Sequence, residues 1–317
     1  TKVMSILLIL EAIDSGKISL TDSVAASENA VAMGGSQIWL EVGEKMTVDE
    51  LLKAVVVASA NDACMALGEY IAGSDTGFIK MMNDRAKELG LENSNFENCT
   101  GLDDTVTNHY SCAYDLAVIA KEVMKHESIK NYTSIWLDSL RNGKTELNNT
   151  NKLVNTYKGI TGLKTGTTSN AGFCLCATAE RDRMNLVAVV LGCETSDVRF
   201  ESATNLLDFG FANYELAEPQ FDQSKITDVR IKNGIEKSIS PSLADAEKIL
   251  VAKGSGEIEY TYEINTEMQA PVNKGDKLGT IVLKSGDDII KTVYLKSNKD
   301  IKKISFSFIF TKMLKNI

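Results

Sequence analysis

The sequence predicts an α+β domain followed by a smaller all-β domain, and three observations carry that prediction. Apolar residues recur at helical spacing through most of the stretch from Val3 to His126. From Gly159 to Cys193 the texture changes to short apolar or alternating runs split by turn residues, as in antiparallel strands. Beyond Pro219 short runs bounded by Gly or Asn follow one another at the spacing of a small sandwich or barrel.

In chain order, "VMSILLILEAI" (3–13) predicts an apolar helix that closes before Asp14-Ser15-Gly16. Residues 21–38 read as loop around Gly34-Gly35-Ser36. "TVDELLKAVVVAS" opens with a capping box, Thr47 bonding the amide three residues on while Glu50 reaches back, and its helix ends near Ala58. "SAND" (59–62) separates it from a helix over "DACMALGEYIAG". Residues 76–89 form another, stopped by Gly90. "SCAYDLAVIAKEVMKH" makes a fifth, with Ser111 as its expected N-cap. "GITGLKTGTT", "AGFCLCATAERD" and "NLVAVVLGC" are the three strands, and "DVRFESATNLLDFGFANY" returns to helical spacing. The second domain's strands fall on "ITDVRIKNG", "KILVAKG", "IEYTYEI", "GTIVLKSG" and "IIKTVYLKS". The expected organisation is therefore 1–215, 220–300 and a tail, 301–317.

The 317 residues suffice for two domains, and 44% hydrophobic with 24% charged residues is ordinary for a folded chain. A net charge of −9 without a basic block argues against nucleic acid as a partner. With His109 and His126 the only histidines, a His-dependent triad has just two candidates. Cys64, Cys99, Cys112, Cys174, Cys176 and Cys193 show neither a CxxC nor a zinc spacing, so no metal or other cofactor is expected. Cys174 and Cys176 point to one side of their strand and read as small buried hydrophobes. Cys64, just past the "SAND" turn, is expected to be a free thiol near the site. No apolar run is long enough to span a bilayer as a helix, and there is no initiating Met. The first residues already lie within a helix, so the chain reads as part of a longer precursor. The tail combines Phe306, Phe308, Phe310, Met313, Leu314 and Ile317 with Lys302, Lys303, Lys312 and Lys315, which fits an interfacial anchor on anionic lipid. The alternative is a terminal strand and helix closing the second domain.

Three stretches together suggest chemistry. Lys2 heads an apolar helix, Ser59-Ala60-Asn61 sits in an interhelical turn, and Lys164-Thr165-Gly166 lies on a strand. A serine acyl-transferase without histidine needs a base that is neutral near physiological pH, a proton relay and oxyanion donors. A half-buried lysine beside a second lysine has its pKa lowered by desolvation and like charge, and Lys2 with Lys164 supplies such a pair. In this reading Ser59 Oγ bridges them, Asn61 orients a substrate amide, and Gly166 lets a substrate backbone add to the strand edge.

These segments resemble the penicillin-binding serine acyl-enzymes, whose motifs are S-x-x-K, S-x-N and K-T-G. The closer resemblance is to the low-molecular-mass D-alanyl-D-alanine carboxypeptidases. It extends over "LEVGEKMTVDELLKAVVVASANDACMALGEYIAG", "HYSCAYDLA", "GLKTGTTSNAGFCL" and "RFESATNLLDFGF", and over the β-rich second domain and the tail. It implies a β-lactamase/transpeptidase-like catalytic domain, acylation and inhibition by β-lactam antibiotics, and a peptidoglycan stem peptide ending in D-Ala-D-Ala as substrate. It also implies export and a peripheral place on the outer face of the bacterial cytoplasmic membrane. Lys2 aligns with the lysine of S-x-x-K and Thr1 with its second x, so the nucleophilic serine is expected two positions ahead of Thr1. By position, Lys2 becomes the general base of acylation. Ser59 and Asn61 shuttle protons and hold the substrate amide, Lys164 supports the electrostatics, and the Thr167 N–H is an oxyanion donor. Thr165, Gly166, Thr167 and Arg199 form the substrate-binding set, the two hydroxyls and Arg199 taking the C-terminal carboxylate. Arg199 also reads as an ordinary surface-helix arginine. Thr167 stands where some relatives carry His, so pH dependence and substrate preference do not carry over.

Three other readings compete. A class A β-lactamase needs a Glu-x-x-Leu-Asn loop, whereas Glu146-Leu147-Asn148 has the wrong internal spacing. A non-catalytic peptidoglycan- or penicillin-binding pseudoenzyme would leave the intact Ser59, Asn61 and Lys164 without a purpose. An N-terminal threonine hydrolase would start on a strand rather than an apolar helix.

Overall fold

The computed structural model describes residues 1–104, 106–243, 248–254 and 256–314, the last four of these by backbone alone. The chain forms two units, Thr1–Phe211 and Ala212 onward.

In the first unit, α1 (Lys2–Asp14) is apolar on every side and is buried on every side, as such a helix must be. Met4, Ile6, Leu7 and Ile9 are wholly enclosed, and each contributes roughly 1.5–3 kcal/mol by its burial. Residues 21–38 are not all loop. β1 (Ser23–Ala25) and α2 (Glu28–Val31) form there, and β1 pairs antiparallel with β2 (Lys45–Thr47). Turn-rich composition hid these elements, because one pairs with a partner outside the window and the other is a single turn capped by Ser27. α3 (Val48–Val57) starts on the predicted capping box of Thr47 and Glu50 and ends at Ala58. α4 (Asn61–Ala72) closes on left-handed Gly73, and α5 (Asp75–Glu88) is capped by Ser74. α6 (Ala113–Val123) is capped not by Ser111 but by Cys112, whose sulfur accepts the Asp115 N–H. Ser111 instead shares a hydroxyl bond with Ser94 at 2.8 Å. α1 is surrounded by α3, α4, α5 and α6.

After α7 (Lys130–Thr133) comes a hairpin absent from the sequence reading, β3 (Leu137–Leu140) with β4 (Thr145–Asn148). α8 (Leu153–Thr156) then leads into the sheet of β5 (Ile160–Thr168), β6 (Gly172–Arg181) and β7 (Met184–Cys193), antiparallel in the order β5-β6-β7. β6 is the middle strand, and Leu175 to Ala179 are buried without a break. α6 covers one face of the sheet. α9 (Ser196–Asn213) approaches β7 so closely that a Cβ at Gly210 would stand 2.5 Å from Leu186.

The second unit is almost all β. β8 (Tyr214–Ala217) pairs with a later strand of this unit, which places it here rather than with the preceding domain as the expected 1–215 span had it. β9 (Val229–Lys232), β10 (Ser238–Ile239), β11 (Ser242–Leu243), β12 (Ile249–Ala252), β13 (Glu259–Ile264), β14 (Glu267–Gln269), β15 (Lys277–Ser285) and β16 (Asp288–Lys296) follow. Their sheets run β12-β8, β10-β9-β14 and β11-β16-β15-β13, around cores centred on Val229 and Leu278 and on Ile281 and Leu295. Ile301 closes the first of those cores, and α10 (Phe306–Leu314) ends the described chain. Phe306, Phe308, Ile309 and Phe310 are exposed. The side chains of Lys312, Met313 and Leu314, and residues Lys315 and Ile317 altogether, lie outside the described residues. No helix among the described residues is long and apolar enough to cross a membrane.

Candidate active site

A cleft of about 450 Å³ opens in the first unit between the start of α1, the turn before α4 and the free edge of β5. It gathers Lys2, Ser59, Asn61, Lys164, Thr165, Gly166, Thr167 and Arg199, brought from positions scattered along the chain.

Lys2 opens α1 and is only 8% exposed. Its Nζ donates to Asn61 Oδ1 and, at 2.9 Å, to the Thr100 carbonyl. Asn61, the first residue of α4, in turn donates from Nδ2 to the Gly34 carbonyl at 2.7 Å. The amide is thereby fixed in orientation, its oxygen toward the lysine. Burial lowers the Lys2 pKa, against the opposing influence of Cys64, Cys99 and Asp62. Asp62 is fully enclosed and accepts the backbone N–H groups of Ile38 and Leu40, which pins the cleft-side loop to α4.

Ser59 stands at φ 63, a left-handed backbone that non-glycine residues seldom adopt, and this brings it to the cleft wall. Its hydroxyl makes no hydrogen bond among the described residues, so it does not bridge Lys2 and Lys164. Lys2 is held by Asn61 and Thr100, and Lys164 Nζ is held by Thr150 Oγ1 at 3.5 Å and the Thr165 carbonyl at 3.3 Å.

Lys164 is 4% exposed, opposite Cys176 in the β5–β6 register. Burial holds its pKa well below the ordinary lysine value, and the charges of Lys2 and Arg199 push it the same way. The Thr165 hydroxyl donates to Thr150 Oγ1 at 2.6 Å. Gly166 and Thr167 are exposed on the free edge of β5. A Cβ on Gly166 would meet only Cys174 at 3.8 Å, so nothing in the protein itself demands glycine there. Arg199 is no surface arginine, being 6% exposed. Its guanidinium donates to the Gly166 carbonyl, Thr167 Oγ1 and the Cys174 carbonyl at 3.2–3.3 Å and to Ser196 Oγ at 3.1 Å. The cleft thus sets two buried lysines and a buried arginine around an open strand edge.

Sequence reasoning passed over Thr100 and Thr150. The first acts through a backbone carbonyl, which leaves no mark in residue type, and the second by a threonine in a stretch rich in Asn and Thr. All six cysteines are free thiols. Cys174 and Cys176 line the cleft, and burial pushes the Cys176 thiol up to about 12. Cys64 is enclosed behind Lys2, and its hydrogen bond with Cys99 chiefly, with the nearby Lys2 charge, brings its thiol down to about 7. Glu146 lies on the exposed side of β4 and does not line the cleft, which leaves the β-lactamase reading without its carboxylate.

An α+β unit that sets buried lysines beside a K-T-G strand edge, with an arginine beyond it, defines the class of penicillin-recognising serine acyl-enzymes. The comparisons narrow the class. The family of D-alanyl-D-alanine carboxypeptidases matches residues 1–195, and the C-terminal domain of penicillin-binding protein 5 matches residues 214–303. D-alanyl-D-alanine carboxypeptidase DacF of Bacillus subtilis is 43% identical over 312 residues, covering 96% of this chain and 79% of its own. The structure of penicillin-binding protein 5 from Haemophilus influenzae superposes with a TM-score of 0.84 at 31% identity, over 95% of this chain and 89% of its own. Penicillin-binding protein D2 of Listeria monocytogenes, in an ampicillin-bound form, matches with a TM-score of 0.59 at 31% identity, over 66% and 85%. The chain belongs to the D-alanyl-D-alanine carboxypeptidase family, as a low-molecular-mass penicillin-binding protein and serine-type hydrolase.

Proposed function

We propose that this cleft removes the terminal D-alanine from peptidoglycan stem peptides through a serine acyl-enzyme, and that β-lactams acylate the same serine. That serine is the one of S-x-x-K, two positions ahead of Thr1 and three from Lys2, a spacing that shares one helix face. A neutral Lys2 amine has two N–H bonds, which Asn61 Oδ1 and the Thr100 carbonyl accept, so its lone pair is left for the serine proton. Burial favours that neutral form. The serine oxygen attacks the carbonyl of the penultimate D-alanine, and the developing oxyanion meets the Thr167 N–H. Collapse breaks the peptide C–N bond, and the proton taken by Lys2 passes through the Ser59 hydroxyl to the departing amine. Water, deprotonated in its turn by Lys2, then hydrolyses the ester and restores the serine. The substrate backbone lies along the edge at Gly166, and its terminal carboxylate meets the Thr167 hydroxyl and the positive field of Arg199.

The observation that carries this reading is the convergence of Lys2, Asn61, Lys164 and Arg199, all nearly buried, on one open strand edge. The same reading places the protein outside the cytoplasmic membrane, held at its outer face by the exposed aromatic side of α10. Full-length protein incubated with a fluorescent penicillin and with a peptide ending in D-Ala-D-Ala tests the chemistry. A stable adduct together with release of D-alanine is expected. Rapid penicillin turnover without D-alanine would indicate a β-lactamase, and the absence of any adduct a non-catalytic binding protein.

A further inference from the structure

His109 belongs to none of the three motifs, yet it reaches the start of α1. Its Nδ1 accepts the Glu97 N–H at 3.0 Å, so the ring proton sits on Nε2. Nε2 stands 2.6 Å from Thr1 Oγ1 and donates to it. The ring lies edge-on to Phe96, with centroids 5.9 Å apart. The support is itself anchored: the Glu97 carboxylate accepts the N–H groups of Thr107 and Asn108 at 2.9 and 2.8 Å, and Asn95 pairs with Tyr110 through two backbone bonds. The same segment supplies the Thr100 carbonyl to Lys2. Gly101, at φ +86, passes so close that a Cβ there would stand 2.9 Å from Thr1 Oγ1.

We infer that His109 is a positioning residue for acylation, a fixed neutral donor that locks the Thr1 side chain and through it the helix start carrying Lys2 and the preceding serine. The inference rests on the reading of the cleft given above. Thr1 is the residue between that serine and Lys2 in S-x-x-K, adjoining the lysine, and it is gripped from the segment that also grips Lys2. A shift of about 1 Å in such a pair costs on the order of 10²-fold in rate.

Acylation of the full-length protein by a fluorescent penicillin tests this, with the rate at saturation separated from the affinity of the initial complex. H109F keeps an aromatic edge on Phe96 and loses both hydrogen bonds. H109Q can accept from Glu97 and donate to Thr1. The expected results are a roughly 30- to 100-fold slower acylation in H109F with initial affinity within about 3-fold, and recovery to within about 5-fold of wild type in H109Q. In a T1V background, H109F should cost less than about 3-fold more, since its target is already gone. Wild-type acylation in a folded H109F overturns the inference. So does an H109Q that melts like wild type but acylates as slowly as H109F, because the ring would then be needed for proton chemistry. Independent, multiplying losses for T1V and H109F overturn it as well. No acylation of the wild type overturns the reading of the cleft itself, a result distinct from these.

Discussion

Lys164 shows how far a single residue's energetics are set by its place in the cleft. It is enclosed near two other cationic groups, and its folded pKa lies well below the 10.5 of an ordinary lysine. Between those two values the unfolded chain holds a proton that the folded one has lost, so stability rises with pH across this window and falls as pH drops through the folded value. K164M removes that penalty. It should raise Tm at pH 7 by about 3 °C, roughly 1 kcal/mol, and flatten the alkaline rise, while slowing acylation at least ~10²-fold. Parallel melting and penicillin-binding assays decide this, and an unchanged or lower Tm with normal acylation would refute it. Gly166 makes the converse point. With space for a Cβ inside the protein, G166A should melt within about 1 °C of wild type yet lose ~10-fold or more in kcat/KM on a D-Ala-D-Ala peptide, because the methyl group occupies the substrate's side of the edge. Motif identity made both residues visible in the sequence. Arg199 was not separable from a surface arginine until α9 was seen to bury it.

Among the elements, those closed by local rules were the most legible. The capping box of α3 involves Thr47 and Glu50 alone, bonded at 2.9 and 3.2 Å, and it forms as its spacing predicts. T47A should therefore cost about 1 kcal/mol and lower Tm by ~2–4 °C, with acylation per folded molecule unchanged. A larger loss of acylation than of stability would mean that α3 also sets the Ser59 turn. Elements that depend on distant partners were missed. The β3–β4 hairpin is short and half exposed, with little apolar alternation to announce it. β8 is a strand because β12 pairs with it, and nothing in "YELA" distinguishes it from the end of the preceding helix. The α6 cap passed to Cys112 because the Ser94 hydroxyl engages Ser111.

On the scale of the whole chain, the proposed membrane contact of α10 lies outside the stretch that carries the carboxypeptidase cleft, and a truncation tests that proposal. Full-length protein should co-sediment with vesicles containing anionic lipid, less so as salt rises, and a version ending at Lys303 should not, while both react equally with penicillin. Equal sedimentation of the two would remove α10 as the anchor. By itself the sequence determined the long helices, the three-stranded run around K-T-G, the two-part organisation and the positions of Lys2, S-A-N and K-T-G, because helical spacing, capping and motif spacing are local properties. The tertiary structure decided which groups meet. It turned Lys2 toward Asn61 and Thr100 rather than Ser59, tied Lys164 to Thr150, enclosed Arg199 and set His109 against Thr1. Those contacts join residues many positions apart in the chain, and only the packing of helices against one sheet edge fixes the few ångströms on which their hydrogen bonds and charges depend.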